Sequence, residues 1–235
     1  MLSFTFGGKD SFQDFGIYMA SRPHIPSPER RVTYIDVPGM DSRLRRDEGT
    51  YGDITLSVEC SFLGDPVSKI SAIKNWLLGA GEADLVFSHI PGRKYLAQVV
   101  NSIDFEIVLK VTSHFVILFN CRPFQYATDN TPVMVSESTT ITNPGTLKSL
   151  PIIKVNGSDS GGLTVNGSSV SFSDIYESVI LNSELQETYL DTGTELISKN
   201  STKTGDYPVL LPGDNAISFS GGITSLEITP NWRWL

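Results

Sequence analysis

The sequence predicts a mainly β protein built from two modules: an N-terminal β-rich domain with one α-helix, and a C-terminal β-sandwich of the jelly-roll type. Three observations lead there. Apolar and polar residues alternate with a period of two along most segments, as on strands with one buried face. Turn-makers, 20 Gly and 13 Pro, are scattered along the chain and punctuate many short strands. One window alone, about 66–78, repeats apolar residues at helical spacing.

The elements follow in order. "LSFTFGGKDSF" alternates and turns at Gly7-Gly8, which predicts a hairpin. "FGIYMASRP" continues as a strand. "RPHIPSPERR", residues 22–31, has three prolines in seven residues and is expected to be an extended connector. "VTYIDVPG" is a strand ending in a Pro-Gly turn. "MDSRLRRDEGTYGD" is the most charged stretch and is expected as a solvated loop or hairpin tip. In "DITLSVECSFLG", Ile54, Leu56, Val58, Cys60 and Phe62 share one face of a strand.

"DPVSKISAIKNWLLGAG" is the helix. Asp65 is placed to cap it, Pro66 suits its first position and Gly79 its end. Val67, Ile70, Ile73, Trp76 and Leu77 form its apolar stripe, so Trp76 is expected to pack on a sheet. "ADLVFSHIPGRKYLAQVVNSIDFEIVLKVTSHFVILFNCRPF" supplies three or four strands, with Pro91-Gly92 between two of them.

Composition then shifts. Residues 126–150 are rich in Ser, Thr, Pro and Asn, which puts a domain boundary near 130, dividing the chain into 1–130 and 131–235. Beyond it, "PIIKVNGSDSGGLTVNGSSVSFSDI" repeats Val-Asn-Gly-Ser ten residues apart. Asn-Gly is a strong hairpin signal because both residues tolerate positive φ, so the repeat is read as two corners of a β-meander. "SVILNSELQETYL" reads as a strand followed by polar residues or as a short helix, and strand is preferred. With "TELISKN", "YPVLLPGDNAISFSGG" and "ITSLEITPNWRWL" the region holds some seven to nine short strands.

At 235 residues, 40% hydrophobic and 19% charged, the chain buries a real core. Its net charge of −8 argues against a sequence-independent nucleic-acid binder, though an anionic wall would let nucleic acid slide past. Cys60 and Cys121, the only cysteines, sit in apolar stretches and are expected as free buried thiols, suited to assembly in a reducing cytoplasm. "MLSFTFGGKD" lacks the features of a signal peptide, and no window reaches the length of a membrane span. Asn156, Asn166 and Asn200 open N-glycosylation patterns, here read as turn chemistry.

No catalytic constellation emerges. His24, His89 and His114 lack metal-ligand spacing. Asp104 and Glu106 share a strand face, read as a solvated face and not as a glycosidase pair. Glu184, Glu187 and Asp191 cluster without a calcium-loop pattern. No cofactor, metal or catalytic residue is assigned, and the chain is not expected to be an enzyme.

The ordered set "SFTFGGKDSFQDFGIYM", "RPHIPSPERR", "IDVPGMDSRL", "GTYGDITLSVECSF", "ITNPGTLKSLPIIKVNGS", "LTVNG", "ILNSELQETY" and "GDYPVLLPGDNAISFSGGITSLEITPNWR" resembles the distal tail proteins of phages with long, non-contractile tails. The resemblance covers nearly the whole chain. It implies a baseplate hub at the virion tail tip, assembled in the host cytoplasm. The N-terminal domain would form a ring, usually a homo-hexamer, with no membrane contact. The C-terminal domain would be a galectin-like sandwich. Implied partners are the tail tube protein, the tail-associated baseplate protein and receptor-binding proteins, with phage DNA passing through without specific binding. The chain matches the short form, which lacks an inserted carbohydrate-binding module.

Two stretches hold few residues that would bury in their own core, and so are candidates for reaching a neighbour. They are the proline-rich run with Arg22, Arg30 and Arg31, and the charged stretch with Arg43, Arg45 and Arg46. The alternative function is a carbohydrate-binding module for host cell-wall glycan. Its candidate platform is Trp232 and Trp234, which share a strand face but are expected to pack against the domain or a neighbour.

Overall fold

The computed structural model describes residues 1–63, 69–102, 106–109 and 112–235. The chain forms two compact units, Met1–Tyr126 together with Leu235, and Ala127–Trp234.

The first unit holds β1 (Phe4–Phe6), β2 (Lys9–Asp10), β3 (Ile17–Met19), β4 (Arg30–Ile35), β5 (Leu44–Tyr51) and β6 (Ile54–Leu63). Then come α1 (Ile70–Gly79), β7 (Ala83–Phe87), β8 (Arg93–Val99), β9 (Glu106–Leu109) and β10 (Thr112–Cys121). Strand β11 (Gln125–Ala127) begins in this unit and pairs with β8. The main sheet runs β2-β1-β7-β8-β10-β6-β3, and β9 pairs with β10.

One-sided alternation builds this sheet. The ladder between β6 and β10 runs from Ile54 opposite Cys121 to Leu63 opposite Thr112. Ile54, Leu56, Val58, Cys60 and Phe62 all point into the core, facing the same side as Phe115, Ile117, Phe119 and Cys121. Helix α1 closes that face with Ile73, Trp76 and Leu77. The Trp76 ring stacks on Phe15 at 4.3 Å and on Phe4 at 5.9 Å, and its indole N–H donates to the Phe6 carbonyl at 2.9 Å. The expected first turn at Asp65, Pro66 and Val67 lies outside the described residues. Gly79 is the last residue of the helix, with Ala80 continuing in helical conformation, so the stop comes slightly later than glycine chemistry suggests.

The two cysteines are free and buried. Cys60 opposes Phe115 and Cys121 opposes Ile54, six residues apart on the ladder, or about 20 Å along it. A disulfide needs Cα atoms within about 7 Å. Burial pushes both thiols up, Cys121 to about 12 with help from the Asp53 charge. The thiolate is the reactive form. Both thiols are therefore expected to ignore an aromatic disulfide reagent in the native protein and to react fully in denaturant. A colour change equivalent to one thiol in native buffer would contradict this burial.

The second unit holds β12 (Val133–Val135), β13 (Thr139–Asn143), β14 (Ile152–Val165), β15 (Ser168–Asn182), β16 (Glu187–Asp191), β17 (Leu196–Ser198), β18 (Lys203–Thr204), β19 (Gly213–Thr229) and β20 (Arg233–Trp234). The order is β12-β19-β14-β15-β16-β17, with β13 on the other end of β19 and β18 on β15. "SVILNSELQETYL" is strand, as the end of β15 and most of β16. The expectation of uniformly short strands is corrected: β14, β15 and β19 are 14, 15 and 17 residues long.

The echoed Val-Asn-Gly-Ser takes two different structures. Asn166 and Gly167, at φ 52° and 82°, make the two-residue turn from β14 to β15. Asn156 and Gly157 lie inside β14, not at a corner. There the registers shift and the backbones of β14 and β19 converge. A Cβ at Gly157 would overlap the Gly222 carbonyl, one at Gly222 the Ser158 carbonyl, and one at Gly221 would sit 2.7 Å from the Ser160 oxygen. This glycine crease bends the long strands, so that their two halves wrap one core of Ile153, Val155, Leu163, Val165, Phe172 and Leu226, among others.

Candidate subunit interface

Residues 22–52 form an arm on the first unit. Residues 22–29 carry no regular secondary structure, as the prolines dictate. Then β4 and β5 pair as a two-stranded antiparallel sheet of their own. Val32 opposes Asp47, Thr33 opposes Arg46, Tyr34 opposes Arg45 and Ile35 opposes Leu44. The stretch expected as a solvated loop or hairpin tip belongs to a hairpin and is mostly strand: Arg45 and Arg46 lie on β5, and Arg43 just precedes it. Pairing with β4, residue by residue, is what extends it.

Polar contacts hold the arm to itself. Arg30 bonds Asp47 at 2.7 Å and the Tyr51 hydroxyl at 3.1 Å. Arg43 pairs with Asp36 at 2.8 Å, Thr33 donates to Glu48 at 2.7 Å, and the Arg45 guanidinium lies 5.9 Å over the Tyr34 ring. The Gly49 N–H and then the Arg30 guanidinium hold the Asp47 carboxyl below its ordinary range. This bracing is present above the unfolded value and is lost as pH falls through the depressed folded one. A carboxyl NMR titration is expected to find Asp47 shifted down; an ordinary value would mean the brace is not made in solution.

Tyr34, Ile35, Met40 and Leu44 are each about half exposed. Residues opposite one another share a face, so Tyr34 lies on one face and Ile35 with Leu44 on the other. Neither face packs into the core cluster of the first unit. A lone two-stranded hairpin is marginal in water, and exposed apolar residues on both faces mark a surface to be covered. Glu29, Arg30, Arg31, Val32, Tyr34, Glu48 and Gly52 line an open hollow of about 370 Å³ at its base.

The structure thus gathers Arg30, Arg31, Arg43, Arg45 and Arg46 on one hairpin. Arg22 is separate: its charge acts on His89, whose pKa is lowered chiefly by burial and then by Arg22. Sequence reasoning found the arginines but missed Tyr34, Ile35, Met40 and Leu44, because alternation in "VTYIDV" does not say that both faces are left open.

Charge is unevenly divided. Over 22–52 there are six arginines and five carboxylates, a net of +1. Residues 1–126 total −1, and 127–235 total −7. The acidic excess therefore belongs almost wholly to the second unit.

Elsewhere, Trp234 is buried, with its indole N–H donated to the Pro144 carbonyl at 3.2 Å, and Trp232 packs against the core of the second unit. Among the described residues no group of three or more His, Cys, Asp or Glu is placed to hold a metal ion. No described helix is long and apolar enough to cross a membrane. The Ser61 hydroxyl and His114 Nδ1 lie 2.7 Å apart, but Ser61 is only 1% exposed, so no substrate reaches it. Asp104 lies outside the described residues, and Glu106 sits on β9.

No family model matches the chain, and no curated protein matches it. Among solved structures it matches SPP1 Dit (gp 19.1), at a TM-score of 0.74 and 15% sequence identity, over 100% of each chain. That protein is described as a paradigm of the hub of the adsorption apparatus in phages that infect Gram-positive bacteria. The likeness is one of fold: a mainly β chain with the Dit architecture from end to end.

Proposed function

We propose that this protein is the distal tail hub of a phage with a long non-contractile tail. It closes as a homo-oligomeric ring, most simply a hexamer, that joins the tail tube to the baseplate protein and supports receptor-binding proteins. Phage DNA passes through the ring without specific binding. The observation that carries this reading is the end-to-end overlap with a hub protein, in which neither chain has a domain the other lacks. The uncovered arm supports it, since a ring subunit needs a surface that only a neighbour completes. No catalytic role is assigned to any residue.

The charge count bears on the channel. A strongly anionic wall would have to come from the second unit, whereas a ring of first units would be nearly neutral by count. A neutral wall also releases DNA, because affinity for phosphate requires cations.

Electron microscopy of tails carrying a gold label on this protein is expected to mark the tail tip. Label on the head or along the tube would reject the hub. Arg45→Glu is expected to lower the ring population in light scattering while changing folding stability by no more than about 0.5 kcal/mol, as for an exposed site. Unchanged assembly would remove Arg45 from the interface.

A further inference from the structure

The sheet of the second unit ends at β17, and no described strand lies beyond it. All three of its residues are exposed, Leu196 at 67% and Ile197 at 40%. Neighbouring strand residues point to opposite faces, so the sheet is apolar on both sides of this rim. Soluble proteins shield an open rim with a charge, a proline or a bulge in the strand itself, and β17 has none of these. Its charges stand around it instead. Glu187 and Asp191 lie on β16 and Glu195 in the turn before β17, and none forms an ion pair among the described residues. The Asp191 carboxylate accepts only from its own turn, at the Gly193 N–H.

The arm has the complementary character. Among the described residues its two strands pair only with each other, so each keeps a free rim. It exposes Tyr34, Ile35 and Leu44, and it carries Arg43, Arg45 and Arg46. We infer that the arm of one copy is received by the β17 rim of another, with β5 adding to the sheet as a further strand. The arginines then face Glu187, Asp191 and Glu195, and the exposed apolar residues of both partners cover one another. This names the receiving surface of the ring contact and rests on the hub reading.

The test mixes two variants, Arg46→Cys and Ile197→Cys, so that a cross-link forms only between copies; the two native thiols are buried and do not compete. A short bismaleimide on the assembled particle is expected to join the two. The triple reversal Glu187→Lys, Asp191→Lys, Glu195→Lys is expected to raise the midpoint concentration of assembly by roughly tenfold or more. Adding Arg43→Glu, Arg45→Glu and Arg46→Glu to the same chain is expected to bring it back to within about threefold. Circular dichroism melts check that each variant is folded. Rings that form without the cross-link, and ignore the triple reversal, overturn the inference and leave the hub reading standing. A cross-link from Arg46→Cys to Val116→Cys in the first unit of another copy overturns it too, because the arm then lies elsewhere. Chains that stay single at every concentration, alone and with tail tube protein, remove the ring and the inference with it.

Discussion

Gly222→Ala is expected to abolish the fold of the second unit, at a cost above about 4 kcal/mol. The reason is a collision, not backbone strain. Gly222 does not have a positive φ, so alanine suits its conformation. But a methyl there would occupy the space of the Ser158 carbonyl oxygen, and a backbone oxygen cannot swing aside as a side chain can. Relief requires β14 and β19 to part along a ladder that runs from Ile152 to Val165. Gly167→Ala is the control. It sits at φ 82° with open space around it and should cost only about 1–2 kcal/mol for the left-handed conformation. Hydrogen exchange separates the outcomes: in Gly222→Ala the amides of Ile153, Val155 and Leu226 lose protection, while those of Leu56 and Val58 in the first unit keep theirs. Full protection throughout would mean that the crease tolerates a side chain.

Trp76→Ala is expected to cost the first unit about 3–5 kcal/mol. The indole is stacked with Phe15 and Phe4 and meets Phe6 at a tilt of 55°, while Phe119 stands edge-on to Phe4 and Phe6. Removing it leaves a hole where α1 meets the sheet, and the rings of Phe4, Phe6 and Phe15 lose part of their packing. The helix has little else to hold it, since its buried residues are Ile73, Trp76 and Leu77. Trp76→Phe keeps most of the volume and loses the hydrogen bond to the Phe6 carbonyl, for about 1–2 kcal/mol. Urea midpoints for the two variants test the ranking. A loss below about 1 kcal/mol for the alanine variant would show the helix anchored by other means.

The parts of the fold legible in the sequence are those set by one-sided contrast. Residues 54–62 alternate strictly, and every apolar member is buried; Trp76 follows from helical spacing in the same way. The crease was not legible. Asn156-Gly157 and Asn166-Gly167 are the same dipeptide, and only the second turns the chain. β19 passes both, but only at Gly157 does its backbone, at Gly222, come close enough to exclude a side chain, while Gly167 stands in open space. The arm was half legible. Its arginines announce solvent or a partner, but "VTYIDV" reads as an ordinary half-buried strand. Period two tells which residues share a face; it does not tell whether that face is covered within the same copy. Tyr34 and Ile35 stay open for that reason.

The ribbon formed by β4 and β5 carries a consequence for production of the protein. An extended segment with vacant hydrogen-bonding groups on both long sides will accept any other extended chain, correct or not. Copies in excess would stick to one another through it. Overproduction by itself should therefore fill inclusion bodies unless the ribbon is blunted with lysines.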